Sequence, residues 1–327
     1  MGPLSPRRRI SAAALALSTG VLTAVGAPSA LAATAGGEGM EAERATKPTV
    51  VLVHGAFADA SGWNAVVKRL TEAGFPVVAP PNPLRGVLND SAQIASVLKS
   101  IKGPIILAGH SYGGAVISQA AAGNSNVKAL IYVSAFMPDV GESPAALSTR
   151  FAGSELGTAL RPVPYTDAHG SGVDLYLKDD KFHEVFAADL PKAETRLMAV
   201  EQRPVAEAGF AQKATAAAWK SIPSWFVVAR NDKAIAPDLE RFEAQRAKSR
   251  TVEVDSSHVA MMSHPDVVTQ QITDAARDTT GAVAKAAALA ETGTATRQIA
   301  LTAGAAGALL VTGGVLTVLA RRRARRD

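Results

Sequence analysis

The sequence predicts an α/β fold: a mostly parallel sheet flanked by helices, with a mostly helical cap inserted late in the chain. Three observations predict it. Short β-branched apolar runs alternate with segments whose apolar residues recur at helical spacing, the pattern of a parallel sheet covered on both faces. Glycine-bearing turns follow the strands directly, at His54-Gly55 and at Gly109-His110. Apolar residues make up 47% of the 327 residues, enough for a large core, and the absence of cysteine excludes disulfides and thiolate metal sites.

The elements follow in order. Thr49-Val50-Val51-Leu52-Val53 is a first strand, buried on both faces. Trp63 to Ala73 places Trp63, Val66, Val67 and Leu70 on one helix face, and Gly74 stops it. Phe75 to Ala79 is a second strand and Ser91 to Ile101 a second helix, with Ile94, Val97 and Leu98 inward. Ile105 to Ala108 is a third strand, Gly113 to Ala122 a third helix and Val127 to Ser134 a fourth strand. Phe136 to Ser221 is irregular and proline-bearing. At about 85 residues it is too long for a plain loop and reads as a mostly helical cap. Alternation resumes with a strand at Ser224 to Ala229, a helix at Pro237 to Arg246, a strand at Arg250 to Val254 and a helix at Pro265 to Ala276.

The two ends read as addresses rather than fold. Residues 1–32 have the form of a signal peptide: Arg7-Arg8-Arg9, an apolar stretch from Ile10 to Val25, and Ala30-Leu31-Ala32 before a cut. An uncleaved anchor is the alternative, and the arginines do not distinguish Sec from twin-arginine export. Residues 33–46 form a Gly-, Ala- and Glu-rich spacer, 47–278 the folded domain with its cap at about 136–221, 279–292 a linker with a short motif, and 293–327 an apolar anchor with a basic tail. The stretch Ile299 to Ala320 carries no charge and, at roughly 1.5 Å per residue, just spans a bilayer core of about 30 Å. Leu289-Ala290-Glu291-Thr292-Gly293 before it and Arg321-Arg322-Arg323-Ala324-Arg325-Arg326 after it complete an order that resembles a Gram-positive cell-wall sorting signal. The resemblance implies a sortase as partner, cleavage between Thr292 and Gly293, and attachment to the cell wall. A plain single-pass membrane anchor is the alternative. Nine of the 34 basic residues lie in these ends; without them and Asp327, 25 basic residues face 28 acidic ones, a net of −3. The net charge of +5 therefore gives no reason to expect nucleic acid.

The chemistry centres on Gly109-His110-Ser111-Tyr112-Gly113, a G-x-S-x-G between a strand and a helix. That setting forces a serine into a strained turn with its hydroxyl beyond the strand end, and makes Ser111 the candidate nucleophile. The N–H groups of Tyr112 and Ala56 are the candidate oxyanion donors, with Phe57 as the alternative to Ala56. A nucleophilic serine needs a base, and the base an orienting carboxylate, in the chain order Ser, acid, His. His258 follows the last strand and Asp232 follows the strand before it, so these are the candidate base and acid. His54 precedes the nucleophile and reads as a structural loop residue. His264 reads as opening the last helix, His169 and His183 as cap residues. Asp255 stands only three residues from His258, too close to reach its far ring nitrogen. Ser256 and Ser257 read as loop residues. Phe136, Met137, Phe151, Phe182 and Phe186 are candidates for a pocket lining or for cap core.

His54-Gly55-Ala56-Phe57, Trp63, the run Gly109 to Gly114, Asp232 to Pro237 and His258 to Pro265 resemble the α/β-hydrolase superfamily, in the branch of plant methylesterases, hydroxynitrile lyases and bacterial esterases. The likeness spans about Lys47 to Ala276. It implies a Ser-His-Asp hydrolase, a small-molecule ester as substrate, and neither metal nor organic cofactor. The lyases of this branch typically carry threonine after the first histidine and lysine after the catalytic one. Here those positions hold Gly55 and Val259, which favours an esterase. A lyase or other non-hydrolytic enzyme is the alternative, to be separated by cyanohydrin cleavage. A non-catalytic surface binding protein is a second, to be separated by its failure to react with a fluorophosphonate.

Overall fold

The computed structural model describes residues 47–168 and 170–279. The expected signal peptide and spacer, His169, the expected sorting motif with Thr292 and Gly293, and the apolar tail lie outside the described residues. Among the described residues no helix is long and apolar enough to cross a membrane.

The central sheet is built from β1 (Thr49–Val53), β2 (Val77–Val78), β3 (Ile105–Ser111), β4 (Val127–Ala135), β8 (Ser224–Ala229) and β9 (Arg250–Val254), in the order β2-β1-β3-β4-β8-β9. Every neighbouring pair is parallel. Val50 to Val53, Ile105 to Ala108, Ala129 to Val133 and Phe226 to Ala229 are fully buried, as strands covered on both faces must be. The chain moves outward from β1 to β2 and then returns to the far side of β1 as β3. Strand order reverses between β1 and β3, and in open parallel sheets ligands bind beyond the carboxyl ends at such a reversal. The register pairs Val53 with Gly109, Gly109 with Tyr132 and Ala229 with Val254, so the strand ends lie along one edge.

Helices α1 (Asn64–Glu72), α2 (Val87–Ser100), α3 (Tyr112–Ala120), α9 (Pro237–Arg246), the single turn α10 (Ala260–Ser263) and α11 (residues 265–279) cover the sheet. Helix α2 starts four residues before its apolar pattern does. Asp90, wholly buried, reaches back to accept the N–H groups of Arg85 (3.1 Å) and Gly86 (3.3 Å), satisfying donors that a helix start leaves free. The same carboxylate accepts the Tyr112 hydroxyl at 2.8 Å and ties α2 to the start of α3.

The cap contains α4 (Pro144–Ser148), α5 (Leu156–Ala159), α6 (Asp179–Phe186), α7 (Lys192–Glu201) and α8 (Glu207–Phe210). It also contains an antiparallel sheet, β5 (Leu160–Asp167), β6 (Gly170–Leu177) and β7 (Val205–Ala206), which the sequence reading did not anticipate. The reason is Pro162 and Pro164, which look like strand breakers. β5 is an edge strand, and residues two apart share a side, so both missing N–H groups fall on the unpaired side.

Helix α9 clamps the base of the cap. Arg246 donates to both oxygens of Glu142 (3.0 and 2.9 Å) and to the Met137 carbonyl at 2.7 Å, and its guanidinium lies 5.2 Å from the Trp219 ring centre. Glu243, fully buried, accepts the Met137 N–H at 2.9 Å. Burial pushes its carboxyl up to about 8, because Arg246, 3.8 Å away, is already engaged by Glu142. A carboxyl that holds its proton more tightly when folded contributes stability fully below the unfolded value of about 4.5, and that contribution is lost as pH rises toward 8. Glu243→Gln is therefore expected to reduce the fall in stability between pH 5 and pH 8. Urea midpoints of the two proteins at both pH values check this; equal slopes would contradict it.

Candidate active site

Ser111 closes β3 and precedes α3 with φ 54 and ψ −126, a left-handed backbone that a non-glycine residue adopts only where packing enforces it. Packing does so here. A Cβ on Gly113 would stand 2.6 Å from the Val53 carbonyl oxygen, so α3 rests directly on the end of β1. A Cβ on Gly55 would stand 2.6 Å from Ser111 Cβ and 2.9 Å from the His110 carbonyl oxygen. The loop after β1 and the turn after β3 thus touch at the serine. Gly55→Ala is expected to displace Ser111 and lower kcat/KM about 100-fold, since small misplacements of reacting groups cost that much. Steady-state ester kinetics check this, and a crystal structure of the variant locates the shift.

His54 holds the first loop. Its Nδ1–H donates to the Gly55 carbonyl at 2.9 Å and its Nε2 accepts the Asn82 N–H at 2.9 Å, while Asn82 Nδ2 donates to the His54 carbonyl at 2.9 Å. Both ring nitrogens are spent on backbone, and burial lowers the pKa, so the ring is a neutral brace. The Phe57 N–H donates to the cap carbonyl of Arg203 at 2.8 Å and is not free for a ligand. The N–H groups of Ala56 and Tyr112 have no acceptor among the described residues.

Asp232 follows β8 and His258 follows β9, both at the carboxyl edge that carries Ser111. His258 Nδ1–H donates to Asp232 Oδ2 at 2.5 Å, and both side chains are buried. Asp232 Oδ1 accepts the N–H groups of Ala234 (2.7 Å) and Ile235 (2.9 Å), so the carboxylate is fixed by its own turn. The His110 ring lies 4.7 Å from that of His258, and His110 Nε2–H donates to the His258 carbonyl at 2.9 Å. Burial first, and the neighbouring His258 second, depress the His110 pKa well below the ordinary value and keep it neutral. His258 therefore packs against the residue that precedes Ser111. Among the described residues neither Ser111 Oγ nor His258 Nε2 makes a hydrogen bond, so the hydroxyl and the imidazole are not joined. Such bonds commonly tighten only when substrate is bound.

The other candidates fall elsewhere. Asp255 pairs with Arg230 at 2.7 Å. His183 Nδ1 is 3.1 Å from Thr195 Oγ1 within the cap, and the His264 carbonyl accepts the Val268 N–H at the start of α11. Sequence reasoning missed Asp189, a cap residue that accepts the Ser257 N–H at 3.0 Å and contacts the Ser257 hydroxyl, tying the cap to the loop of His258. A small cavity of about 50 Å³ adjoins the site, lined by Phe57, Phe186, Met198, Val259, Met261 and Met262 together with the polar Asp59, Ser61 and Glu201. Of the five cap residues proposed for a pocket only Phe186 lines it; Phe136, Met137 and Phe182 are buried core, and Phe151 packs on Phe242. A larger cavity of about 550 Å³, bordered by Lys99, Gln119 and Asn124, opens where α3 leads into β4, at the opposite, amino edge of the sheet. Among the described residues no cluster of His, Asp and Glu could hold a metal ion.

A parallel sheet whose carboxyl edge carries a strained serine beside a buried His–Asp pair defines the class of α/β hydrolases. The chain belongs to the alpha/beta hydrolase family, whose family model matches residues 50–271. It is similar to the alpha/beta hydrolase nvfD of Aspergillus novofumigatus, with 27% identity over 70% of this chain and 97% of that one. It is also similar to methylesterase 2 of Arabidopsis thaliana, with 23% identity over 70% of this chain and 96% of that one. Among solved structures, that of polyneuridine aldehyde esterase matches with a TM-score of 0.58 and 20% identity, over 70% of this chain and 98% of that one.

Proposed function

We propose that this protein is a serine carboxylic ester hydrolase (EC 3.1.1), exported and held at the cell surface, acting on a small to medium apolar ester. The observation that carries the reading is the buried Asp232–His258 pair set against the turn of Ser111. His258 presents Nε2 unprotonated because Nδ1 keeps its proton on Asp232. It takes the Ser111 proton as Oγ attacks the ester carbonyl. The N–H groups of Ala56 and Tyr112 receive the oxyanion, each worth about 3–4 kcal/mol. His258 then gives its proton to the departing alcohol, leaving an acyl-serine. Water attacks that ester, His258 takes and returns a second proton, and the acid is released.

The test is a series of p-nitrophenyl esters of increasing acyl length, with fluorophosphonate labelling read out by peptide mass spectrometry. The reading expects hydrolysis of the shorter esters and a label on Ser111. A protein that neither turns over esters nor takes the label would be the binding protein instead. Surface anchoring is tested separately: a cell-wall fraction should release a peptide ending at Thr292, and a chain recovered intact in the membrane fraction would replace the sortase with a plain anchor.

A further inference from the structure

Behind the Asp232–His258 pair lies a second carboxyl group that the proposed chemistry does not use. Glu240, in the first turns of α9, is completely buried. Its Oε2 accepts the N–H of Ala229, the last residue of β8, at 3.1 Å, and its Oε1 has no donor. The Asp232 N–H in turn bonds to the Ala229 carbonyl at 3.3 Å, so the short turn that carries Asp232 is also the one Glu240 bonds to from α9, and the two carboxyls lie within hydrogen-bonding reach of each other.

Two facing carboxylates with no cation between them cannot both be ionised in a buried site. Asp232 collects three N–H donors, from Ala234, Ile235 and His258; Glu240 collects one. The negative charge therefore belongs on Asp232 and the proton on Glu240. Burial, and next the charge of Asp232, push the Glu240 carboxyl well above its ordinary range. The other titratable groups packed around the pair are Glu243 on the same helix, whose charge would push Glu240 the same way, and His110 against His258 with His54 beyond it, both held neutral.

We propose that Glu240 is a positioning residue: a neutral carboxylic acid that donates its O–H to Asp232, fixing that carboxylate toward His258 and moderating its charge. The inference rests on the esterase reading for its kinetic consequence but not for its structural one. Glutamine can keep both bonds, donating its amide N–H to Asp232 and accepting from Ala229; leucine keeps the volume and removes the donor.

The experiment compares Glu240→Gln and Glu240→Leu by three measurements: the infrared carbonyl band of a protonated carboxylic acid, the His258 pKa by NMR in the resting protein, and kcat/KM for p-nitrophenyl acetate. The expected result is that Glu240→Gln removes one contribution to the acid band and leaves that of Glu243, while its His258 pKa and kcat/KM stay as in the parent. In Glu240→Leu the less compensated Asp232 raises the His258 pKa by about one pH unit and kcat/KM at pH 7 falls about tenfold. A fall of about one pH unit in the His258 pKa of Glu240→Gln would mean an ionised Glu240 and overturn the proposal. An unchanged pKa in Glu240→Leu would overturn it too. The band and the pKa are read without turnover, so a protein that hydrolyses no ester sinks the esterase reading while leaving Glu240 to be judged on those two.

Discussion

Ser111→Ala is expected to lower kcat for ester hydrolysis by about 10⁵- to 10⁶-fold while leaving the fold intact, as loss of the nucleophile does in other serine hydrolases. The acyl-serine cannot form without Oγ, so the covalent route is closed, and only oxyanion donors and binding remain to accelerate attack by water. The fold should survive for a local reason. Alanine keeps the Cβ that meets Gly55, and the hydroxyl it removes makes no hydrogen bond among the described residues, so no buried partner is orphaned. The strained φ of 54° is imposed by β3 and α3 rather than by the side chain. Thermal midpoints within a few degrees of the parent protein, together with lost fluorophosphonate labelling, complete the expected picture. Ester hydrolysis at the parent rate in this variant would remove Ser111 from the chemistry.

The central sheet was legible because it is written in local signals. β8, α9 and β9 coincide with the apolar run Ser224 to Ala229, the proline-led helix from Pro237 and the run Arg250 to Val254. Once strands are placed, topology puts every strand-to-helix turn at one edge, and the positions of Ser111, Asp232 and His258 follow. What was not legible depends on partners far along the chain. Pro162 and Pro164 are tolerated because β6 lies on one side of β5 and, among the described residues, no strand pairs with the other. The bond from Ser257 to Asp189 joins residues 68 apart. Glu240 was hidden differently. It sits among Asp238, Arg241, Glu243 and Arg246, a charge pattern that reads as a solvated helix face, yet Glu240 and Glu243 are both fully buried. Periodicity cannot tell a buried charge from an exposed one when the inward stripe is itself polar.

Asp232→Asn is expected to cost about 10⁴-fold in kcat, by a change of tautomer rather than of shape. Oδ1 accepts two backbone N–H groups, at 2.7 and 2.9 Å, and only an oxygen can serve there. The asparagine must therefore turn its NH₂ group toward His258, where Oδ2 now accepts Nδ1–H. Two donors cannot face each other, so the imidazole presents a bare Nδ1 and moves its proton to Nε2. That is the nitrogen that has to take the Ser111 proton. His258 cannot escape by rotating, since its ring is wedged against His110 at 4.7 Å and Phe186 at 5.1 Å. Nitrogen NMR of the resting variant should show the proton on Nε2, and ester kinetics should show the loss in kcat with little change in KM. An asparagine variant within tenfold of the parent rate, or one whose Nδ1 still carries the proton, would mean that Asp232 does not orient the base.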